Sequence, residues 1–508
     1  MTDAVVDWVA HHAKTTPRKI ATIDLASSRR QSYAEMHARV GRIAGFLRAA
    51  GIGKGDRVGL IALNSTDILD IIFATWRIGA VHLALNFRLT AAELAFIVGD
   101  AAPKLVFVDQ AFAALKDALA PQNPDLQWVA LDGIGGETEF EAAIAAARPI
   151  EAMVEQGAAD QAMLMYSSGT TGRPKGVIIT HGMIMAASIN EAINFEADRN
   201  VVSYAVMPLF HIGAMMGFSV PAMLFGATAI VERTFEPGAM IRAITSEEYG
   251  VTHFLALPAI YNAMRMHPEC AGADFSRISM AVGGAEPMPE PVLRWWYQRG
   301  VPIAEVYGMT ETTGLACSLL REDVPHRIGT AGKAALFTEI KIMKSDTAEA
   351  APGEQGEIWM RGANVTTGYW RRPEANAEAF VDGWLRSGDM GRMDEEGYIT
   401  IEDRIKDMYI SGGENVYPAE VESVLYMLPE VAEAAVIGLP DPKWGESGCA
   451  VVVLKPGESL DLETLQHHCK GHLARYKHPS RLEIRDALPR NATGKILKYV
   501  LRQELSEQ

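Results

Sequence analysis

Tyr166-Ser167-Ser168-Gly169-Thr170-Thr171-Gly172-Arg173-Pro174-Lys175-Gly176 places three glycines, four serine or threonine hydroxyls and two cations in eleven positions. Glycine lets backbone N–H groups approach an anion closely, and hydroxyls and cations add further donors. That combination suits a loop that grips a polyphosphate. It is not a Walker loop, which needs G-x-x-x-x-G-K-[ST]. Pro174 stands five positions after Gly169, and Lys175 is followed by Gly176. The competing reading is a polar surface turn, because Gly, Ser, Thr and Pro dominate turns.

The sequence before the loop decides the fold class. Ser32-Tyr33-Ala34-Glu35 is a capping-box pattern opening an amphipathic run that ends at Gly51, and Thr90-Ala91-Ala92-Glu93 is another. Residues 56–63, 80–85 and 104–108 read as short buried strands, with a helix over 67–78 between the first two. Residues 254–257 and 278–282 read as later strands of the same kind. Strands alternating with helices predict an α/β fold of parallel-type sheets covered by helices. Residues 328–398 change character: glycines and short strands at 339–343 and 356–360 predict a β-rich subdomain. The charged run 403–407 follows a strand at 398–401 and reads as a hinge. Beyond it, helices at 418–427 and 462–473 and strands at 431–438 and 449–454 predict a small α+β domain. The expected division is a large domain of residues 1–404 and a small one of residues 405–508.

Further motifs follow the loop in a fixed order. They are Gly283-Gly284-Ala285-Glu286-Pro287, Tyr307-Gly308-Met309-Thr310-Glu311-Thr312, Ser387-Gly388-Asp389, Asp403-Arg404-Ile405-Lys406-Asp407, Ser411-Gly412-Gly413-Glu414-Asn415-Val416-Tyr417-Pro418 and Pro489-Arg490-Asn491-Ala492-Thr493-Gly494-Lys495. Together they resemble the adenylate-forming superfamily of acyl-CoA synthetases, luciferases and peptide-synthetase adenylation domains. The resemblance spans about residues 34–502, nearly the whole chain.

The resemblance implies ATP, Mg2+ and coenzyme A, and a two-step reaction through an acyl-adenylate. By it, Ser167, Ser168, Gly169, Thr170, Thr171, Gly172 and Lys175 form the loop over the β- and γ-phosphates. Thr310 donates to the α-phosphate, and Glu311 holds the Mg2+. Asp389 accepts from the ribose hydroxyls, and Arg404 adds a donor near the ribose or phosphate. Gly284, Ala285 and Glu286 lie along the adenine, with Tyr307 and Gly308 as its other wall. Lys495 bridges carboxylate and α-phosphate during adenylation. The small domain then turns about Lys406 and exchanges Lys495 for a thiol channel, near which Gly412, Gly413, Glu414, Trp444 and Lys477 are expected.

The acid pocket is expected between Met207-Pro208-Leu209-Phe210-His211-Ile212-Gly213-Ala214-Met215-Met216-Gly217, Gly283 and Met309. His211 matches a family position near the reacting carboxylate, and among apolar neighbours it reads as a wall more than a base. Methionine adapts to varied ligand shapes and glycine leaves space. Plant 4-coumarate:CoA ligases carry tyrosine where this chain has Gly213. The pocket so read favours a medium or long acyl chain, as in bacterial fatty-acyl-CoA ligases. Aromatic acids such as hydroxycinnamates or benzoate are the alternative, and loading of a carrier protein is a further one. A luciferase-like monooxygenase and an inactive nucleotide sensor are the readings from other classes.

Bulk properties bound the rest. At 508 residues two or more domains are expected. A net charge of −16 argues against non-specific nucleic-acid binding, so ATP must be drawn by local cations. Cys270, Cys317, Cys449 and Cys469 show neither disulfide nor zinc spacing, and the N-terminus lacks a signal-peptide pattern. Both point to a reducing, cytoplasmic setting. Residues 212–231 form an uncharged run of bilayer-spanning length, but Gly213, Gly217, Pro221 and Gly226 interrupt it. It reads as buried core. A lipid-like substrate leaves room for peripheral membrane contact, and the expected assembly is a monomer or homodimer.

Overall fold

The computed structural model describes residues 4–132, 138–167, 174–286, 288–404, 407–411, 414–442, 444–470, 472–490 and 496–506, with the backbone alone at 403 and 404. Two sheets carry the large region. The first runs Gln127–Leu131, Leu105–Asp109, Arg57–Ile61, Val81–Ala84, Gln161–Ser167, Lys175–Thr180. Its first five strands are parallel, and Lys175–Thr180 returns antiparallel with Lys175 opposite Ser167. The second has nine strands. Its centre is a parallel run of Ile303–Tyr307, Met280–Gly283, His253–Ala256, Val202–Ala205, Thr228–Val231 and Ile20–Asp24.

The helices form where their caps and apolar faces predict. Ser32 and Glu35 make the expected capping box for helix Tyr33–Ala49, and Thr90 and Glu93 make that of Ala91–Ala101. Reciprocal side-chain bonds satisfy N–H groups that a helix start otherwise leaves open. Every residue of helix Thr66–Arg77 is buried, including Asp67 and Asp70. Such burial of carboxylates requires paired cations. Arg39 supplies the charge, with Asp67 at 2.7 Å and Asp70 at 3.0 Å, and Arg29 meets Asp67 at 2.6 Å.

The run 212–231 does not form one helix. Gly217 and Gly226 cap two short helices, Ile212–Met216 and Val220–Phe225, and Thr228–Val231 enters the nine-stranded sheet. Its apolar side chains belong to the core shared by both sheets. Among the described residues no helix is long and apolar enough to cross a membrane.

The β-rich expectation holds for a six-stranded antiparallel sheet containing Thr338–Ser345, Gln355–Gly362, Trp384–Met393 and Ile399–Arg404. The hinge expectation needs correcting at its start. Strand Ile399–Arg404 runs through two of the charged residues, with Asp403 opposite Met390 and Arg404 opposite Asp389. A ladder bonds through the backbone, so charged side chains do not end it. The last region has its own five-stranded sheet and core: Glu414–Val416, Tyr409–Ser411, Gly445–Leu454 and Val431–Asp441, with Arg481–Ile484 beside Gly445–Leu454. Helices Pro418–Leu425, Leu462–Lys470 and Lys498–Ser506 accompany it.

Candidate functional site

Parallel strands deliver their C-terminal ends to one edge, where ligands of open α/β sheets bind. Here Ser167 ends its strand in the six-stranded sheet, while Gly283 and Tyr307 end theirs in the nine-stranded one. The 3-10 turn Thr310–Thr312 follows Tyr307 closely. It carries Glu311 back towards the first sheet, where the Ser167 hydroxyl donates to Glu311 Oε1 at 3.2 Å. The Tyr369 hydroxyl donates to the same oxygen at 3.0 Å. Glu311 is only 5% exposed, so these hydroxyls fix its carboxylate in a largely water-free setting. Lys175 Nζ lies 5.2 Å from the Tyr369 ring centroid, a cation–π distance. Burial, then the neighbouring Glu311 charge, pushes the Tyr369 phenol well above its usual range.

On the other side of the turn, the Tyr307 hydroxyl donates to Asp389 Oδ2 at 2.7 Å. Asp389 sits in strand Trp384–Met393, and its amide donates to Ser387 Oγ at 3.0 Å. Burial and the adjacent Asp389 charge raise the Tyr307 phenol far above its usual range, so it stays a neutral donor. Residues 82 positions apart thus present a carboxylate and an aromatic ring together. Gly308 is required by packing, since a Cβ there would lie 1.6 Å from the Gly314 carbonyl oxygen. Gly284 also packs closely, on Val306, whose Cγ2 would meet a Cβ at 2.5 Å. Ala285 takes the left-handed conformation at φ 69°, a strained geometry of the kind found at functional turns. Glu286 Oε1 accepts from the Ile496 amide at 3.1 Å.

The expected acid-side residues at 211–216 lie on the short helix Ile212–Met216 and its cap. His211 caps the short helix Ile212–Met216, its Nδ1 accepting from the Gly213 amide at 3.2 Å. That bond makes Nδ1 an acceptor and leaves the ring proton on Nε2 in the neutral tautomer. Ile212, Met215 and Met216 are buried, and Met309 is half-buried. A Cβ on Gly314 would lie 3.4 Å from Met216 Cβ, which sets the methionine against the turn carrying Thr310 and Glu311. Among the described residues, a Cβ on Gly213 would meet the His211 ring, at 3.4 Å.

Of the expected thiol-side residues, Glu414, Trp444 and Lys477 are described, all in the last region. Glu414 is exposed, and Trp444 is 39% exposed in the turn where its amide donates to Asp441 Oδ1 at 2.9 Å. Lys477 Nζ is ion-paired to Glu420 at 2.6 Å. Ser168, Gly169, Thr170, Thr171, Gly172, Lys406, Gly412, Gly413 and Lys495 lie outside the described residues, as does the side chain of Arg404. Tyr369 was not legible as a site residue. Its only sequence signal is an aromatic after Gly368 ahead of Trp370-Arg371-Arg372-Pro373, a pattern common to ordinary turns.

Comparison with known proteins gives the family. Residues 9–370 match the family of AMP-binding enzymes, and residues 420–495 match the AMP-binding enzyme C-terminal domain. The chain therefore belongs to the AMP-binding enzyme family. Among individual relatives, it is 38% identical over 502 residues to the long-chain-fatty-acid–CoA ligase FadD13 of Mycobacterium tuberculosis, covering 99% of this chain and 98% of that protein. It is also 38% identical over 496 residues to the feruloyl-CoA synthase of an Amycolatopsis species, covering 98% of each. The crystal structure of ATP-bound MatB from Rhodopseudomonas palustris superposes with a TM-score of 0.90 at 32% identity, covering 99% of both chains.

Proposed function

We propose that this enzyme is an ATP-dependent carboxylic acid:CoA ligase. In the first step a carboxylate oxygen attacks the α-phosphorus of ATP, the bond to the bridging oxygen breaks, and pyrophosphate leaves. In the second the coenzyme A sulfur attacks the acyl carbon, the bond to the adenylate oxygen breaks, AMP leaves and the thiol proton goes to solvent. The observation that carries this reading is the meeting of Ser167, Glu311, Tyr307 and Asp389 at the strand ends of two sheets.

The roles are those that the family resemblance implies. Ser167, Ser168, Gly169, Thr170, Thr171, Gly172 and Lys175 take the terminal phosphates, and Thr310 the α-phosphate. Asp389 accepts from the ribose hydroxyls while Tyr307 covers the adenine against Gly283, Gly284, Ala285 and Glu286. Arg404 adds a cation at the ribose or phosphate. Lys495 brings a positive charge to the carboxylate and α-phosphate as charge shifts between them. Mg2+ suits this site, because it takes hard oxygens from one or two carboxylates plus substrate phosphates, and Glu311 is a buried carboxylate beside the phosphate loop. When bound it would neutralise phosphate charge. The orientation of Glu311 by Ser167 and Tyr369 is the protein's share.

The division at residues 404/405 separates the adenylating region from a mobile region that carries Lys495 and, around Lys406, Gly412, Gly413, Glu414, Trp444 and Lys477, the coenzyme A path. The substrate read from the acid wall is a medium- or long-chain fatty acid. Ile212, Met215 and Met216 give an apolar lining, and Gly213 leaves room beside His211. The aromatic alternative is kept because a feruloyl-CoA synthase and a fatty-acyl ligase are equally similar to the chain. Cytoplasmic location and a monomeric or homodimeric state belong to the same proposal. Pyrophosphate release with ATP, Mg2+ and coenzyme A across acetate to palmitate, cinnamate, ferulate and benzoate tests it. Coenzyme-A-dependent turnover with fatty acids supports the reading, and turnover confined to aromatic acids selects the alternative. Release without thioester formation points to a carrier protein, and no release with any acid overturns the ligase.

A further inference from the structure

We infer that Tyr369 is a positioning residue that holds the metal-side carboxylate of Glu311 and the phosphate-side ammonium of Lys175 in a fixed relation; this rests on the ligase reading above. One side chain meets both groups. Its hydroxyl donates to Glu311 Oε1 at 3.0 Å, and its ring lies 5.2 Å from Lys175 Nζ.

The backbone around Tyr369 shows why it can serve this purpose. It is pinned to the strand that returns from the glycine-rich loop. Tyr369 bridges Val177, the Trp370 amide donates to the Gly176 carbonyl at 2.7 Å, and the Ile178 amide donates to the Gly368 carbonyl at 3.2 Å. Its own amide donates to Asn376 Oδ1 at 2.7 Å, anchoring it to helix Pro373–Ala379. Three residues earlier, the Thr366 amide donates to the Glu311 carbonyl at 2.7 Å, and Thr366 Oγ1 donates to the Ile178 carbonyl at 2.6 Å. The segment 366–370 therefore straps the Glu311 turn to the strand that begins at Lys175. Tyr369 is the member of that strap whose side chain reaches the two charged groups. At 9% exposed, its ring is held by packing and can set the carboxylate's direction.

Two variants separate positioning from packing. Tyr369→Phe keeps the ring beside Lys175 and removes the donor to Glu311, whereas Tyr369→Leu removes both. Calorimetric titration of ATP into the full-length protein, with Mg2+ and again with EDTA, reads the effect without turnover. Loss of one hydrogen bond to a charged group is worth about a factor of ten. Tyr369→Phe is expected to weaken ATP binding about tenfold in Mg2+, to raise the Mg2+ concentration for half-maximal binding, and to leave binding in EDTA within about twofold of wild type. Tyr369→Leu is expected to weaken binding in both media. Wild-type affinity of Tyr369→Phe in Mg2+ overturns the inference. So does an equal loss in Mg2+ and EDTA, which marks a packing defect. If the wild-type protein itself binds no ATP, the ligase reading falls, and the inference with it.

Discussion

The two ends of strand Val431–Asp441 face different surroundings. At the Val431 end, Asn262 of the large region donates to the Ala432 carbonyl at 3.4 Å, and Glu433 pairs with Arg490 at 2.9 Å. Arg490 in turn bridges Ile496, whose amide reaches Glu286 in the turn proposed to line the adenine. At the Asp441 end stand Trp444 and Gly445, with Ser411 opposite Gly445 and Glu414 opposite Ser411; Trp444 and Glu414 are exposed there. Eleven residues of strand separate the ends by about 33 Å. Arg490, which opens the lysine motif with Pro489, and the exposed Glu414 and Trp444 thus stand at opposite ends of one small sheet. A single placement of that sheet cannot bring both to one adenylate. If both serve the reaction, as proposed above, the sheet must turn between the steps.

The severest test of that contrast is Lys495→Ala. Removing one preorganised charge from a transition state costs about 10²–10³ in rate. The expected outcome is that loss in acid-dependent ATP–pyrophosphate exchange, with thioester formation from supplied acyl-adenylate retained. Equal loss in both assays removes the distinction between the ends. Next in size is a lock at the Val431 end. Asn262→Cys with Ala432→Cys, oxidised to a disulfide, is expected to leave exchange near wild type and to slow thioester formation by about 10²-fold or more, reversibly with reductant. The four native cysteines are buried, which favours selective oxidation of the new pair. Continued thioester formation in the oxidised protein contradicts the turning motion.

Trp444→Ala is expected to act at the other end, slowing thioester formation by about tenfold or less while sparing exchange, as loss of one aromatic contact would. A shift in exchange instead would place Trp444 outside the thiol path. The smallest effect belongs to Glu305, which lies on neither end. Burial pushes its carboxyl up to about 8 from 4.5, while the Gly329 amide donates to it. The folded chain keeps this proton where the unfolded chain loses it, so stability is fullest below about pH 4.5 and declines as pH rises through about 8. Glu305→Gln keeps an acceptor for Gly329 and removes that decline. Its unfolding midpoint at pH 8 is expected to rise by a few degrees, measured by thermal denaturation across pH, with both half-reactions unchanged.

What could be read in the sequence was mostly local or carried by ordered motifs. Ser32 with Glu35 and Thr90 with Glu93 announce helix starts because the bonds that stabilise them join residues three apart. Short apolar runs such as 105–108 announce strands for similar reasons of spacing. The joining of Ser167 to Glu311 was expected only through the family resemblance, since 144 residues separate them. Tyr369 escaped notice because its value lies in two long-range contacts and its sequence neighbourhood is unremarkable. The strand end at Arg404 was misread because charge suggests a linker, while ladder formation depends on the backbone opposite, here Asp389. The burial of Asp67 and Asp70 was equally out of reach of a local reading, since their counter-charges come from Arg29 and Arg39, far upstream.

The central claim is that a carboxylate oxygen attacks the α-phosphorus of ATP. An accepted acid labelled with 18O in its carboxyl group, turned over with ATP, Mg2+ and coenzyme A, tests it directly by mass spectrometry of the products. The account predicts one labelled oxygen in AMP, none in pyrophosphate, and the acyl group on coenzyme A. Label in inorganic phosphate or pyrophosphate, or unlabelled AMP alongside thioester, would contradict it.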